Sequence, residues 1–369
     1  MNDDNEQLLD AISGILPPIM TALDALSWVG RHLHPPNLAA LADALADAGD
    51  PLQAGLTRFR DTAFPEHLEA FKEHVIRAGE HVCRAIEGLA AAVDDPNGPV
   101  QAYRAMGQQT RALYALYPVA AMLPPVSRFF VEPGLRHDDP LLRKLHDADT
   151  TRDEVGILHA ENDRGMRGGF SLYVPEYYDP DESYPLVVAL HGGSGHGRDF
   201  LMTWLVNARS RGAVVLSPTA RDRTWALMGP DIDSPNIEGM VARVREGWNI
   251  DPGRLLLTGM SDGGTFCYVS GLRENSPFTH LAPSSASFHP LLLEGTTRER
   301  LSALKVYLMH GALDWMFPVD VARTANAALT AAGANVQYRE IADLSHTYPR
   351  DENPKIMQWL LSDEPSAGG

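Results

Sequence analysis

One short stretch restricts the fold of this chain more than any other. Residues 259–263 read Gly-Met-Ser-Asp-Gly and fit the pattern G-x-S-x-G, between an apolar run, Arg254 to Thr258, and a segment from Gly264 that can open a helix. A turn between such a strand and helix is tight, because side chains at the glycine positions would collide with the neighbouring elements. The strained backbone would hold the hydroxyl of Ser261 outward. We therefore predict a strand–turn–helix unit that presents Ser261 as a nucleophile.

Length and composition favour two folded domains. The chain has 369 residues, of which 44% are hydrophobic, so a large core is expected and wholesale disorder is not. The net charge of −17 repels phosphate backbones and anionic membrane surfaces, so we predict no nucleic-acid partner, although solubility is the simpler meaning of the charge. The two cysteines, Cys83 and Cys267, do not make a disulfide framework.

The beginning of the sequence gives no sign of export. Residues 1–6 are acidic, with no basic residues ahead of an apolar stretch, and we recognise no apolar run of about 18 residues that could span a membrane. We therefore predict no signal peptide, no membrane span and a cytoplasmic protein.

Residues 1–150 are predicted to form an all-helical domain. The clearest element follows Pro65, where apolar residues recur at three- and four-residue steps as far as Val93, and residues 94–99 end it. Prolines separate the other predicted helices, which cover about 5–15, 18–30, 37–48 and 100–117. The domain could be a cap over an active site, a structural support, the interface of a homo-oligomer or a docking surface, and we favour a cap or a structural role.

Residues 113–130 combine large apolar side chains with three prolines, Pro118, Pro124 and Pro125, that interrupt any long helix. Two interpretations stay open for this segment. It could be buried between the domains, or it could form a lid or one wall of a substrate pocket.

Beyond about residue 165, short apolar runs alternate with helical stretches. This pattern predicts an α/β domain over 151–369, built on a mostly parallel, doubly wound sheet. The last run alternates apolar and polar residues, so we expect it near a sheet edge. Ligands of such sheets bind beyond the carboxyl ends of the strands, so functional residues are expected where the runs end. The predicted strands cover 169–174, 186–190, 213–217, 254–258, 305–309 and 336–341.

Three strand ends could complete a site with Ser261. The glycine-rich residues 191–197 leave N–H groups uncovered that could bind an oxyanion, with the Asp262 N–H as a second donor. A phosphate-binding loop is the alternative, but neither the Walker lysine nor the G-x-G-x-x-G order is present. Asp314 could orient an imidazole or merely cap a helix, and Asp320 is the substitute. His346 lies in the loop after the last predicted strand.

Ser261, Asp314 and His346 follow one another in the chain order of α/β-hydrolase triads. From about residue 168 to 362 the chain resembles the α/β-hydrolase esterases, most closely the polyhydroxybutyrate-depolymerase and feruloyl-esterase-like branch. The likeness is carried by residues 185–193, 250–264, 310–314 and 345–349. Two positions depart from the branch, since Ser345 stands where glycine is usual and Tyr348 where tryptophan is frequent; we expect both near the pocket rim. The N-terminal helical region has no counterpart in the likeness, and many relatives are secreted.

The resemblance implies an α/β-hydrolase fold and a set of roles. Ser261 would be the nucleophile, His346 the base and Asp314 its orienting acid, and the N–H groups of Gly193 and Asp262 would form the oxyanion hole. The expected activity is a carboxylesterase acting on a small-molecule ester through an acyl-enzyme, with no cofactor or metal. Other triad hydrolases (peptidase, thioesterase, lipase or polyester depolymerase) and a non-catalytic binding protein stay as alternatives.

Several aromatic and histidine side chains are candidates for further roles. Trp315 adjoins Asp314 and His196 lies in the glycine-rich loop, so both are candidate substrate contacts, whereas Trp204 and Trp225 are expected in the core. The histidines at 67, 74 and 81 recur every seven residues. That spacing is roughly 10.5 Å along a helix, too far apart to share one metal ion, so we expect a solvated or inter-helix face.

Overall fold

The computed structural model describes residues 3–362, and the chain divides into two compact units, the first ending at His137 and the second beginning at Asp138. The helix Asp139–Asp147, inside the region predicted to be helical, belongs to the second unit. The predicted cap or oligomerisation role of the N-terminal helices stays a prediction.

Helices make up the regular structure of the first unit. In chain order they are α1 (Asp3–Arg31), α2 (Leu38–Asp43), α3 (Ala46–Asp61), α4 (Glu69–Ala92), α5 (Gly98–Leu116) and α6 (Pro124–Phe129). Short 3₁₀ turns join several of them, at Pro35–Asn37, Glu66–Leu68, Tyr117–Ala121 and Pro133–Leu135.

Helix α4 has the amphipathic face that its sequence predicts. Phe71, Val75, Val82 and Leu89 are all buried on it. The histidine face of the same helix meets α5, because the Nδ1 atoms of the second and third histidines, at 74 and 81, lie 3.1 Å from the Ala115 carbonyl oxygen and 2.9 Å from Gln108 Oε1. Across residues 3–362 no group of three or more potential metal ligands is found.

Two predicted helix boundaries are wrong. Helix α1 continues through Pro17 and Pro18, and α3 continues through Pro51. A proline removes one intrahelical N–H donor, but Ile15 and Ile19 are fully buried on either side of the Pro17–Pro18 pair. Burial of one apolar face therefore outweighs the local preference to stop.

Helix α1 is also long and apolar enough over Glu6–Arg31 to cross a membrane, by length and composition. This stretch was not predicted from the sequence, because the prolines were taken to divide the helix. A core helix and an N-terminal signal sequence meet the same criteria, and Leu23 and Leu26 in α1 are fully buried. Length and composition alone therefore do not make α1 a membrane span.

The second unit is built on an eight-stranded sheet. Its strands are β1 (Gly156–Ala160), β2 (Phe170–Val174), β3 (Tyr184–Leu190), β4 (Val214–Pro218), β5 (Ile250–Met260), β6 (His280–Ser284), β7 (Lys305–Gly311) and β8 (Asn335–Ile341). They lie in the order β1-β2-β4-β3-β5-β6-β7-β8. Strand β2 runs antiparallel to both neighbours and strands β3 to β8 are parallel, so the predicted mostly parallel sheet is confirmed, with β8 at an edge.

The strands alternate with helices, as predicted from the alternation of apolar runs and helical stretches in the sequence. These helices are α7 (Asp139–Asp147), α8 (Gly197–Phe200), α9 (Leu205–Arg211), α10 (Asp233–Gly247), α11 (Asp262–Gly271), α12 (Arg298–Ala303), α13 (Asp320–Ala332) and α14 (Asn353–Leu361). Because β3 to β8 are parallel, the loops that follow them leave the sheet at one edge.

Strands β1 and β6 were not predicted from the sequence. Strand β6 reads His-Leu-Ala-Pro-Ser and contains Pro283, a residue that argues against a central strand because it lacks the N–H of the ladder. Strand β1 is short and only partly buried, so its apolar signal is weak.

A buried ion pair joins the turn after β2 to α9. Arg209 Nε lies 2.8 Å from Glu176 Oε1, with both side chains almost fully buried. The Tyr173 hydroxyl donates to the other carboxylate oxygen at 2.9 Å, and the Tyr177 hydroxyl donates to the Arg209 carbonyl oxygen at 2.8 Å. Removing one charge of such a pair leaves the other without compensation in a dry environment.

We expect Glu176→Gln to lower the free energy of unfolding by about 3 kcal/mol, because the Arg209 charge stays buried. Urea unfolding of the whole chain measures this loss. Glu238→Gln is the matched control: Glu238 pairs with Arg273 at 2.7 Å, but both side chains are about a third exposed, so the loss should stay below about 1 kcal/mol. Equal losses in the two variants would contradict the role of burial.

Candidate active site

The predicted turn lies between β5 and α11. Ser261 stands between them with φ 56° and ψ −119°, a left-handed conformation that is rare for a residue with a side chain. Its N–H donates to the Ser284 carbonyl oxygen at the end of β6, over 3.0 Å. A backbone conformation of this kind costs about 1–3 kcal/mol, and the hydrogen bond to β6 helps to hold Ser261 in it.

Both glycines of the pattern are required by close packing. A Cβ atom on Gly259 would lie 2.6 Å from the carbonyl carbon of Gly263, and one on Gly263 would lie 2.5 Å from the carbonyl oxygens of Leu190 and His191. Because these contacts are with backbone atoms, they cannot be relieved by a side-chain rotation. The glycines therefore let α11 start directly against β3 and β5.

Three side chains from separate loops meet at this turn. His346 Nε2 lies 3.0 Å from Ser261 Oγ, and His346 Nδ1 lies 2.9 Å from Asp314 Oδ2. The Ser261 hydroxyl can donate to Nε2 while Nδ1–H donates to the carboxylate. Asp314 and His346 are buried and Ser261 is partly exposed. This arrangement can activate a serine hydroxyl for attack on a carbonyl group.

Asp320, the substitute for Asp314 in the sequence analysis, is not part of this cluster. It is exposed at the start of α13 and bonds Arg323 Nη1 at 2.9 Å. The structure therefore brings the first of the two aspartates to the histidine.

The Asp314 carboxylate is enclosed by the loop that carries it. The N–H groups of Met316 and Phe317 donate to Oδ1 at 2.9 and 2.8 Å. His310 Nε2 donates to the Phe317 carbonyl oxygen at 2.9 Å and lies 3.5 Å from Oδ2. Burial alone would raise the pKa of the Asp314 carboxyl, but the hydrogen bonds from His346 and the Phe317 N–H outweigh it and lower the pKa below its usual value. Asp314 is therefore ionised at neutral pH.

His191 organises the glycine-rich loop, a role that was not predicted from the sequence. Its Nε2 accepts the Ala220 N–H at 3.1 Å, so its Nδ1 carries the proton and donates to the Gly192 carbonyl oxygen at 2.7 Å. The Trp225 indole N–H donates to the His191 carbonyl oxygen at 2.7 Å. Burial lowers the pKa of His191 to about 3, which keeps the ring neutral.

The two predicted oxyanion donors lie in the loop after β3 and at the start of α11. Within residues 3–362 the Gly193 N–H has no hydrogen-bond acceptor, and Gly193 is exposed. Asp262 is the first residue of α11, where N–H groups have no partner inside the helix. These N–H groups are the ones to which the resemblance gives the role of oxyanion donors, and that role stays a prediction.

The remaining candidate residues have different surroundings. Trp315 is 46% exposed beside Asp314 and is free to meet a ligand. His196 caps α8: its Nδ1 accepts the Arg198 N–H at 3.2 Å and its Nε2 donates to the Met166 carbonyl oxygen at 3.1 Å, so both nitrogens are engaged with backbone. Trp204 and Trp225 are buried, as expected for core residues.

Ser345 and Tyr348, expected near the pocket rim, are both hydrogen-bonded to neighbouring groups of the protein. Ser345 is buried and its hydroxyl donates to the Leu313 carbonyl oxygen at 3.2 Å. The Tyr348 hydroxyl donates to Asn353 Oδ1 at 2.9 Å, and its ring packs 5.5 Å from that of Phe200.

No family model and no curated protein matches this chain. Several solved structures are similar in part. A thermostable esterase is 21% identical, with a TM-score of 0.45, and the match covers 56% of this chain and 62% of that one. The Staphylococcus aureus fluorophosphonate-binding serine hydrolase F is 16% identical, with a TM-score of 0.47 and coverages of 56% and 98%. A ferulic acid esterase is 14% identical, with a TM-score of 0.43 and coverages of 55% and 96%. The match thus spans less than two thirds of the thermostable esterase.

We expect the neutral state of His191 to make the second unit sensitive to acid. Its pKa is about 3 in the folded state and about 6.5 when unfolded, so the unfolded state binds the proton first. Stability is therefore full above about pH 6.5 and decreases toward pH 3, by about 2 kcal/mol at pH 5. His159 and His280, whose pKa values burial lowers to about 4, add to the same trend.

Urea unfolding at pH 7 and pH 5 measures this loss. In His191→Gln the difference between the two pH values should shrink by that amount, while the exposed control His289→Gln should follow the unaltered protein. An unchanged pH dependence in His191→Gln would contradict the assignment.

Proposed function

We propose that the second unit is a serine hydrolase of the α/β-hydrolase type that cleaves carboxylic esters through an acyl-enzyme. One observation carries this proposal: His346 Nε2 lies within hydrogen-bond distance of Ser261 Oγ while its Nδ1 is bonded to the buried, ionised Asp314. A nucleophile, a base and an orienting acid in this relation are the requirements of acyl transfer.

The proposed reaction has two steps. His346 takes the proton of Ser261 as Oγ attacks the ester carbonyl carbon, and the carbonyl oxygen becomes an oxyanion on the N–H groups of Gly193 and Asp262. Asp314 stabilises the imidazolium, which then protonates the departing alcohol as the C–O bond breaks. A water molecule repeats the attack on the acyl-enzyme, releases the carboxylic acid and restores Ser261.

The ester is favoured over other acyl compounds because the sequence motifs resemble those of esterases. A peptidase, thioesterase, lipase or polyester depolymerase would use the same three side chains, since the preference for a scissile bond lies in the surrounding pocket. Turnover of a matched ester, thioester and amide of one acyl group separates these reactions. The polar contacts of the cluster are intact, which weighs against a non-catalytic binding protein.

Ser261→Ala should lower kcat by more than about 10³-fold, because the atom that attacks is removed. Hydrolysis of p-nitrophenyl esters and covalent labelling by a fluorophosphonate probe measure the loss, and the probe requires no knowledge of the natural substrate. Ser302→Ala, a serine in α12 whose hydroxyl donates to the Glu299 carbonyl oxygen, serves as the control and should keep both signals. Labelling that persists in Ser261→Ala would sink the assignment.

Asp314→Asn should reduce kcat by about 10⁴-fold with little change in KM, because an amide no longer fixes the imidazole tautomer. Asp320→Asn is the matched control at the rejected aspartate and should behave as the unaltered enzyme. Steady-state kinetics on the same ester distinguish them. A larger loss of kcat in Asp320→Asn than in Asp314→Asn would contradict the role of Asp314 as the acid that orients His346.

A further inference from the structure

A third segment meets the two halves of the proposed oxyanion hole. It comprises residues 223–225 in the loop after β4, and we call it the clamp segment. The first half of the hole is the loop that carries Gly193, and the second is the start of α11 at Asp262. The clamp segment makes hydrogen bonds to both.

Its bonds to the glycine-rich loop fall on either side of Gly193. The Ser194 N–H donates to the Arg223 carbonyl oxygen at 3.1 Å, and Arg223 Nε donates back to Ser194 Oγ at 3.0 Å. On the other side, the Trp225 indole N–H donates to the His191 carbonyl oxygen. The loop is therefore bonded to the clamp segment two residues before Gly193 and one residue after it.

Its bond to α11 is made by Thr224, whose Oγ1 donates to Asp262 Oδ2 at 2.5 Å. The same oxygen borders the glycine-rich loop, because a Cβ atom on Gly193 would lie 2.6 Å from it. The Asp262 side chain thus fills the space beside Gly193, and its backbone N–H is the second donor of the hole. One residue therefore joins the two donors through its own side chain.

The clamp segment is itself anchored. The Arg167 guanidinium donates to the carbonyl oxygens of Asp222 at 2.9 Å and Arg223 at 3.2 Å. It also donates to the Gly195 carbonyl oxygen at 2.7 Å. One cation therefore ties the clamp segment to the loop that it supports.

We propose that Thr224 is a positioning residue for the oxyanion hole, acting through the side chain of Asp262. The hydroxyl of Thr224 holds that carboxylate against Gly193 and so fixes the Asp262 N–H relative to the Gly193 N–H. This inference rests on the proposed function of the site. It assigns to the loop after β4 a role in transition-state binding without any contact with substrate.

Thr224→Val removes the hydroxyl at nearly constant volume, and Thr224→Ser keeps it. Losing an oxyanion donor outright costs about 10²–10³-fold in kcat, so a displaced donor should cost about 10-fold, with KM nearly unchanged. The affinity for a trifluoromethyl ketone, which forms a tetrahedral adduct with the serine, should fall by the same factor. Thr224→Ser should restore kcat and the ketone affinity to within about threefold of the unaltered protein. The thermal unfolding midpoints of the two variants should be similar, so that a difference in stability does not explain the difference in kcat.

A double-mutant cycle separates geometry from charge. Asp262→Ala removes the acceptor and a negative charge together, so its own effect on kcat mixes the two. If the hydroxyl acts through this carboxylate, Thr224→Val should have almost no further effect in the Asp262→Ala background. Additive losses would overturn the proposal, even if Thr224→Val alone were poorly folded.

The outcomes distinguish this proposal from the one on which it rests. An unaltered protein that neither hydrolyses esters nor takes up a fluorophosphonate at Ser261 would overturn both. An active protein in which Thr224→Val keeps its kcat and its ketone affinity would overturn the positioning role alone. A loss confined to KM, or one that Thr224→Ser fails to rescue, would do the same.

Discussion

The left-handed backbone of Ser261 is the constraint on which the site of the second unit depends. A side chain in this conformation is costly, and it persists because β6 accepts the Ser261 N–H and two glycines let α11 begin against the backbone of β3. The hydroxyl then stands at the edge where the other parallel strands end. Asp314 reaches it from the loop after β7 and His346 from the loop after β8, so each side chain lies only a few residues beyond the end of its strand.

Two buried polar groups at this edge, the Asp314 carboxylate and the His191 ring, are hydrogen-bonded within the protein. The Asp314 carboxylate receives two backbone N–H groups as well as the imidazole, and His191 uses both ring nitrogens on backbone groups of two loops. Buried polar groups that are fully bonded rigidify their surroundings. The loops that carry Asp314 and His191 are therefore fixed by hydrogen bonds within the protein.

The sequence was informative where local chemistry and tertiary structure agree. The pattern around Ser261 predicts its turn because the same glycines that mark the local turn also allow the close packing of α11 on the sheet. The apolar runs predict a parallel sheet because strands buried on both faces do not alternate apolar and polar residues. It failed where tertiary packing overrides local preference. Pro17 and Pro18 lie inside α1 but were taken as a boundary between two helices, and β6, which contains Pro283, was not predicted. His191 was hidden because its role depends on the distant Ala220 and Trp225, which no local pattern relates to it.

The dependence of Ser261 on β6 also bears on how the chain acquires its site. The turn gains its support only when Ser284 is in place beside β5, and the three side chains come from loops far apart in sequence. Parallel pairings of this kind are non-local and form slowly. No fragment that ends before β8 holds the histidine, and an isolated β5–α11 unit lacks the acceptor for its strained serine. The cluster of Ser261, His346 and Asp314 is thus complete only when the parallel strands from β3 to β8 have assembled.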